Sequence, residues 1–392
     1  MKNKQSQLIK AGREKVFTGK AVNPRLVRAS TIVFDSVADM KQSVAARDAQ
    51  VEYYGRRGTT TTFAFQQAMC EFESAAGCAV YPSGTSAITT ALSAFLNPGD
   101  HLLIVDSAYE PTRDFCTHLL AERGVQVTFY DPLSVEDLAH KVRANTQVIF
   151  LESPGSLTME VQDIASIVAL AKKHDVVTMI DNTYATALNF APLEVGIDVS
   201  IQSATKYICG HSDVMLGVCC ANQATWPRLQ KVSAQLGLCA SVDDVYTALR
   251  GMRTLSVRMR QHDASARQVA EWLSHQAEVD HVRHPALSPC PGHAFYNRDT
   301  AGANGLFSFV MTDANVAAID AMLDGYEHFK LGFSWGGYES LVLKATDFSA
   351  REFATIEPNQ TVIRLHVGLE HVDDLIDDLA RGFDRYRQAA AR

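Results

Sequence analysis

The chain has no uninterrupted apolar run near the roughly 18 residues that a membrane-spanning helix needs. Its basic start, MKNKQSQLIKAGREK, is followed by no apolar stretch of leader-peptide length. An excess of positive charge is also missing: 36 Lys and Arg against 44 Asp and Glu leave a formal charge of −8. That balance repels phosphate backbones and anionic lipid heads, which argues against nucleic acid and membrane surfaces as partners. A cytoplasmic protein acting on a small molecule is expected. No internal repeat is present. Neither phosphate-loop fingerprint occurs, since the sequence contains no GxxxxGK[ST] and no GxGxxG.

Closely spaced cysteine pairs of the metal-binding kind are lacking too. The eight cysteines are scattered through apolar contexts, Cys219 and Cys220 in LGVCCAN among them, which suits reduced, buried thiols. One segment, HVRHPALSPCPGH, brings His281, His284, Cys290 and His293 together in sequence. Its spacing matches no structural-zinc pattern and prolines break it, so a loop with scattered histidines, and no metal, is expected.

What is present is an ordinary globular composition, 47% hydrophobic and 20% charged over 392 residues, enough for two domains and a substantial core. From about Ala79 to Ala204, short β-branched or apolar runs alternate with helical patterns. The runs CAVYP, HLLIVD, VQVTFYD, TQVIFLE, VVTMID and DVSIQSA predict the strands of a mostly parallel sheet flanked by helices, an α/β architecture. Within GTSAITTALSAFL, Ile88, Ala91, Leu92 and Phe95 fall on one helical stripe, and NPGD stops the helix. Residues 1–56 show no sustained period and read as an N-terminal arm. Residues 57–252 hold the α/β block. Residues 253–392, with the amphipathic stretch LSVRMRQHDASARQVAEWLSHQ and the runs GLFSFVM and VIRLHVG, read as a smaller α+β C-terminal domain.

In open α/β sheets, ligands bind beyond the carboxyl ends of the strands, so polar residues at several strand ends are the natural candidates. YPSGTSA supplies Ser83, Gly84 and Thr85 at a strand-to-helix turn, where free N–H groups favour an anion; a plain Ser83 helix cap explains the same residues. DSAYE supplies Tyr109. MIDNTY supplies Asp181, either a carboxylate with a cationic partner or a simple cap. IQSATK supplies Ser203, Thr205 and Lys206, the last either chemically engaged or reaching the surface along its stem. Taken together they form the set that pyridoxal 5'-phosphate requires: a lysine for its aldehyde, an acid for its ring nitrogen, donors for its phosphate and an aromatic ring to stack on.

These residues lie in stretches that resemble the Cys/Met-metabolism family of fold-type I pyridoxal-phosphate enzymes over nearly the whole chain. The most specific are YYGRRGTTT, LESPGSLTMEV, MIDNTYA, DVSIQSATKYICGHSDVMLG, SWGGYESL and IRLHVGLE. The resemblance implies a fold-type I PLP-dependent transferase-like fold with a seven-stranded sheet. It implies Lys206 as the residue bound to the cofactor's aldehyde, Asp181 as partner of the pyridinium nitrogen and Tyr109 as the stacked ring, with Lys206 and Tyr109 catalytic. Gly84, Thr85, Ser203 and Thr205 would hold the phosphate. Tyr54 and Arg56 would complete that cup from a neighbouring subunit of a homo-oligomer, a tetramer built as a dimer of dimers; on their own, they are only part of a basic turn. Arg364, helped by Ser334 and Trp335, would bind the substrate carboxylate.

Alternation in TVIRLHVG puts Val362, Arg364 and His366 on one strand face, which is equally consistent with a solvated face. The family's γ-lyases and γ-synthases carry YSR.GNPT where this chain has YGRRGTT, and leucine in place of Trp335. Both differences imply a β-lyase that converts L-cystathionine to homocysteine, pyruvate and ammonia in methionine biosynthesis. Phe333 stands where a familiar bacterial β-lyase has a tyrosine, so a role for that hydroxyl is absent, which bears on substrate breadth. A γ-lyase, a broad cysteine-S-conjugate β-lyase with some racemase activity, and a non-catalytic regulatory protein on the same scaffold are the alternatives.

Overall fold

The computed structural model describes residues 3–312, 315–354, 356–357 and 360–391. Seven short strands make the larger sheet: β1 (Gly77–Tyr81), β2 (His101–Val105), β3 (Gln126–Tyr130), β4 (Thr146–Glu152), β5 (Val177–Asp181), β6 (Val199–Ser203) and β7 (Gly217–Ala221). Their order is β1-β7-β6-β5-β4-β2-β3. The pairs β2–β3, β2–β4 and β5–β6 are parallel. By contrast, β7 runs antiparallel to both β1 and β6. Six of these strands are the apolar runs read from the sequence; β7, the GVCCA segment, is an addition. Its side chains are small and all five residues are buried, so it shows neither β-branched enrichment nor alternation.

The second sheet comprises β8 (Val279–Arg283), β9 (Leu306–Met311), β10 (Lys330–Leu331), β11 (Leu341–Ala345) and β12 (Thr361–His366), in the order β10-β11-β12-β9-β8. Apart from the short parallel β10–β11 pair it is antiparallel. Ile363, Leu365 and Val367 enter a core with Phe307, Phe309, Leu375, Leu379 and Phe383, from β9 and the helix Val372–Ala390. Burying side chains of this size stabilises the fold by about 1.5–3 kcal/mol each before the entropy of ordering them is counted.

The chain forms two compact units. One gathers the residues up to Asn97 with Val177–Cys209 and Asp213–Ser256; the other gathers Pro98–Val176, Gly210–Ser212 and the residues from Val257 onward. In the first, the helix Gly84–Phe95 begins with a reciprocal cap, the Ser83 hydroxyl accepting from Ser86 N–H (3.1 Å) and the Ser86 hydroxyl from Ser83 N–H (3.0 Å). Its Ile88, Ala91, Leu92 and Phe95 stripe is buried, as the spacing predicts. The arm carries the helices Lys4–Lys10, Lys15–Thr18 and Val37–Ala45. Among the described residues, no helix is long and apolar enough to cross a membrane.

Candidate active site

In the first unit, β5 and β6 run parallel, with Asp181 opposite Ile201, so that the residues closing each strand are neighbours. The Asp181 carboxylate accepts two hydrogen bonds from Thr183, 2.9 Å from its N–H and 2.5 Å from its hydroxyl. The same hydroxyl accepts the Ser203 N–H at 2.8 Å, so one threonine fastens the end of β5 to the end of β6. Past Ser203 the chain turns, with Lys206 N–H donating to the Ser203 carbonyl and Cys209 N–H to that of Ala204. This turn sets Lys206 close enough to Asp181 for its charge to act there. Burial pushes the Asp181 carboxyl above its ordinary range, while the Thr183 hydrogen bonds and the Lys206 cation work in the opposite direction. Thr183 escaped the sequence reading. Its only signal was a hydroxyl two residues after an acid, a common turn pattern.

The turn before the helix Gly84–Phe95 lies beside the same strand end. Ser83 caps the Ser86 N–H, and the N–H groups of Gly84 and Thr85 have no acceptor among the described residues. A Cβ on Gly84 would stand 2.6 Å from both Cβ and Oγ of Ser203, so only glycine permits this approach. Gly217 on β7 is constrained in the same way, since a Cβ there would meet the Ser83 carbonyl. Unlike Ser203, Thr205 is engaged elsewhere: its hydroxyl accepts the Leu216 N–H at 2.9 Å and donates to the Leu216 carbonyl at 3.2 Å. Tyr54 and Arg56 also belong to this unit. Tyr54 is 44% exposed, and Arg56 lies over its ring and donates to the Ala234 carbonyl at 3.3 Å.

The second unit holds the remaining candidates. Tyr109 precedes the helix Glu110–Phe115, and its N–H donates to the Glu152 carboxylate at the end of β4 (2.7 Å). Glu152 is a second residue the sequence reading passed over. Arg364 lies on β12 and is 9% exposed, so the strand face it shares with His366 is buried rather than solvated. Its Nη2 donates to the carbonyls of Ser334 (3.0 Å) and Gly332 (3.4 Å), whereas its buried Nε has no hydrogen-bond partner among the described residues. Loss of solvation lowers the guanidinium pKa to about 10, against a raising influence from Tyr109. Ser334 sits in the left-handed region (φ 75°), a conformation that costs a non-glycine residue free energy. Trp335 is half-buried, and Phe333 is 85% exposed.

The segment with His281, His284, Cys290 and His293 is occupied otherwise. His281 pairs with Asp280, the His284 ring packs on Phe307, Cys290 donates to the Met159 carbonyl and His293 contacts the Pro285 carbonyl. Among the described residues, no group of three or more His, Cys, Asp or Glu side chains is placed to hold a metal.

Open N–H groups at a helix start beside a serine suit a phosphate. A buried carboxylate next to a lysine suits a protonated ring nitrogen and an aldehyde. The residues present therefore fit pyridoxal phosphate. The chain matches the Cys/Met metabolism PLP-dependent enzyme family over residues 5–384. The chain belongs to that family. Within the Cys/Met metabolism family, it is 46% identical to the cystathionine beta-lyase of Haemophilus influenzae, over 97% of this chain and 98% of that one. It is also 46% identical to the cystathionine beta-lyase of Escherichia coli K12, over 98% of this chain and 99% of the relative. Among solved structures, the cystathionine gamma synthase of Xanthomonas oryzae in complex with cystathionine superposes with a TM-score of 0.90 at 30% identity, covering 98% of this chain and 99% of that one. The fold is thus that of the fold-type I PLP enzymes, and the chain is a PLP-dependent enzyme.

Proposed function

We propose that the chain is a carbon–sulfur lyase of methionine biosynthesis that catalyses β-elimination of L-cystathionine to homocysteine, pyruvate and ammonia. The observation that carries the reading is the Arg364 guanidinium, buried and with an Nε that has no partner among the described residues: a planar donor fork of this kind suits the carboxylate of an amino acid. β- rather than γ-elimination is supported by sequence, since the chain shares more of it with the cystathionine beta-lyases named above than with the gamma synthase.

The residues divide the work. Gly84 and Thr85 N–H groups and Ser203 would hold the cofactor's phosphate, and Thr205 would join them if its hydroxyl left Leu216. Asp181, oriented by Thr183, keeps the ring nitrogen protonated. Pyridoxal phosphate, when bound, supplies an aldehyde for the substrate amine and a ring that accepts the electron pair left at Cα. Arg364, with Ser334 and Trp335, holds the α-carboxylate. Tyr109 would supply the aromatic ring of the cofactor site. Lys206 Nζ takes the Cα proton, and a proton is returned by Lys206 or Tyr109 to the sulfur, which leaves with the Cβ–S bonding pair. One water is consumed as the three-carbon remainder becomes pyruvate and ammonia, so no oxidant is needed.

The deciding experiment is product analysis after incubation of the reconstituted enzyme with L-cystathionine. Pyruvate and homocysteine are expected; 2-oxobutyrate and cysteine would show γ-elimination and overturn the reading. For Arg364→Leu, the KM for cystathionine is expected to rise about 10²-fold, the scale of losing one partner of a buried charge pair, with a smaller effect on kcat. An unchanged KM would remove Arg364 from the substrate site.

We further place the enzyme in the cytoplasm as a homotetramer, a dimer of dimers in which Tyr54 and Arg56 serve a neighbouring subunit's site. None of the eight cysteines is joined in a disulfide, as suits a reducing compartment. Val22, Val33, Val37 and Met40 of the arm are exposed apolar residues of the kind a second subunit would cover.

A further inference from the structure

Two buried histidines in the second unit have no part in the chemistry above. His262, on the helix Leu255–Ser274, and His366, on β12, pack ring to ring with centroids 5.2 Å apart. His262 Nδ1 lies 2.8 Å from the Val367 carbonyl, and burial lowers its pKa to about 4, so it is a neutral brace at ordinary pH. His366 is fully buried and two residues from Arg364 on the same strand face. Its Nε2 lies 3.1 Å from Gly336 N and 3.1 Å from the Gly337 carbonyl. As a lone-pair nitrogen it accepts the Gly336 N–H; as an N–H it donates to Gly337. In either tautomer, one ring atom ties down the turn that follows Ser334 and Trp335.

That turn needs an external tie. Ser334 at φ 75° and Gly336 at φ 84° both adopt left-handed backbone, and the turn runs from exposed Phe333 and Ser334 to buried Gly336 and Gly337, where its backbone meets the β12 side chains. Two side chains of β12 reach it: Arg364 at the Ser334 carbonyl and His366 at Gly336 and Gly337. The ring is itself confined. A Cβ on Gly305 would come within 3.1 Å of His366 Cε1 and would collide with the Val367 carbonyl, so the backbone presses on the ring from that side.

We propose that His366 is a positioning residue for substrate recognition, fixing the Ser334–Gly337 turn so that Ser334 and Trp335 meet a substrate whose carboxylate is held by Arg364. The proposal rests on the reading of these residues as the substrate-binding end of a PLP lyase. It adds a reason for histidine on β12, where an apolar side chain would fill the space and leave the turn untied.

The test compares His366→Leu with His366→Gln, whose amide carries both an acceptor and a donor and so replaces either tautomer. Leucine is expected to raise the KM for cystathionine about tenfold, the scale of one lost hydrogen bond, with kcat within about threefold. Glutamine is expected to restore most of that loss, with cofactor absorption unchanged in both. Equal behaviour of the two variants, or an unchanged KM with leucine, overturns the proposal. Glycine, an amino acid without a leaving group, serves as the binding probe, read by the absorbance change of the bound cofactor. Its Kd should rise with leucine and recover with glutamine whether or not cystathionine is the substrate, which separates this proposal from the proposed reaction. Should the leucine variant fail to fold, hydrogen exchange in the native holoenzyme decides: Gly336 N–H should be protected, and exchange as fast as in a free peptide overturns the assignment.

Discussion

Lys206→Ala is expected to abolish the visible absorption of the bound cofactor and to lower pyruvate release from cystathionine by on the order of 10⁴-fold or more, the scale seen when a nucleophile or base of a concerted set is removed. The side chain is half-buried at the end of a turn that closes through backbone bonds from Lys206 N–H to Ser203 and from Cys209 N–H to Ala204. None of these needs the ammonium group, so the variant should fold. Circular dichroism and the melting temperature would check that. Removing the cation also leaves Asp181 without one of the influences that hold its pKa down. Wild-type absorption and turnover in the variant would end the assignment. The same variant probes whether sites are shared between subunits. Arg56→Ala should be impaired alone, yet mixed oligomers of the two variants should regain about a quarter of wild-type sites if each site borrows Arg56 from its neighbour. No recovery would show that Arg56 does not serve a neighbouring subunit's site.

Much of the larger sheet could be read directly because a strand buried on both faces leaves an apolar run bounded by turn residues. HLLIVD and TQVIFLE show it, and so does the helix after Ser83 with its buried stripe. β7 could not be read that way. Gly217 is there because Ser83 passes too close for a side chain, a property of its neighbour and not of the segment. The site divides similarly. Lys206, Asp181 and the Ser83 turn stand at strand ends, where position alone gives meaning. Thr183 matters because parallel register brings the Ser203 N–H to its hydroxyl, and His366 because two peptide groups 29–30 residues away in sequence meet one ring nitrogen. The alternation around Arg364 could not say whether its face was wet or dry, since that depends on the turn at residues 332–337 and the His262 helix.

Asp181→Asn should separate stability from catalysis. In the folded protein without cofactor, the Asp181 carboxyl titrates above its ordinary value of 3.8, chiefly because burial disfavours the charge. The native state therefore holds a proton over a pH window in which the unfolded chain has released it, and stability falls as pH rises from the unfolded value through the raised native one. At neutral pH the ionised carboxylate is thus a net cost to the cofactor-free fold. Asparagine has the same shape, keeps an oxygen for the Thr183 N–H and hydroxyl, and carries no charge to desolvate. The cofactor-free variant should melt no lower than the wild type. With cofactor bound the balance reverses, because a neutral amide cannot hold the ring nitrogen protonated; kcat should fall by on the order of 10²–10³-fold, the scale of losing one preorganised electrostatic partner. In the wild type, the same linkage makes cofactor affinity decline as pH falls through the raised Asp181 pKa, and that decline should be absent in the variant. A variant that keeps wild-type kcat, or a wild type whose cofactor affinity ignores acid while asparagine destabilises the empty protein, would mean that Asp181 is a structural cap and that the ring nitrogen is held by another group.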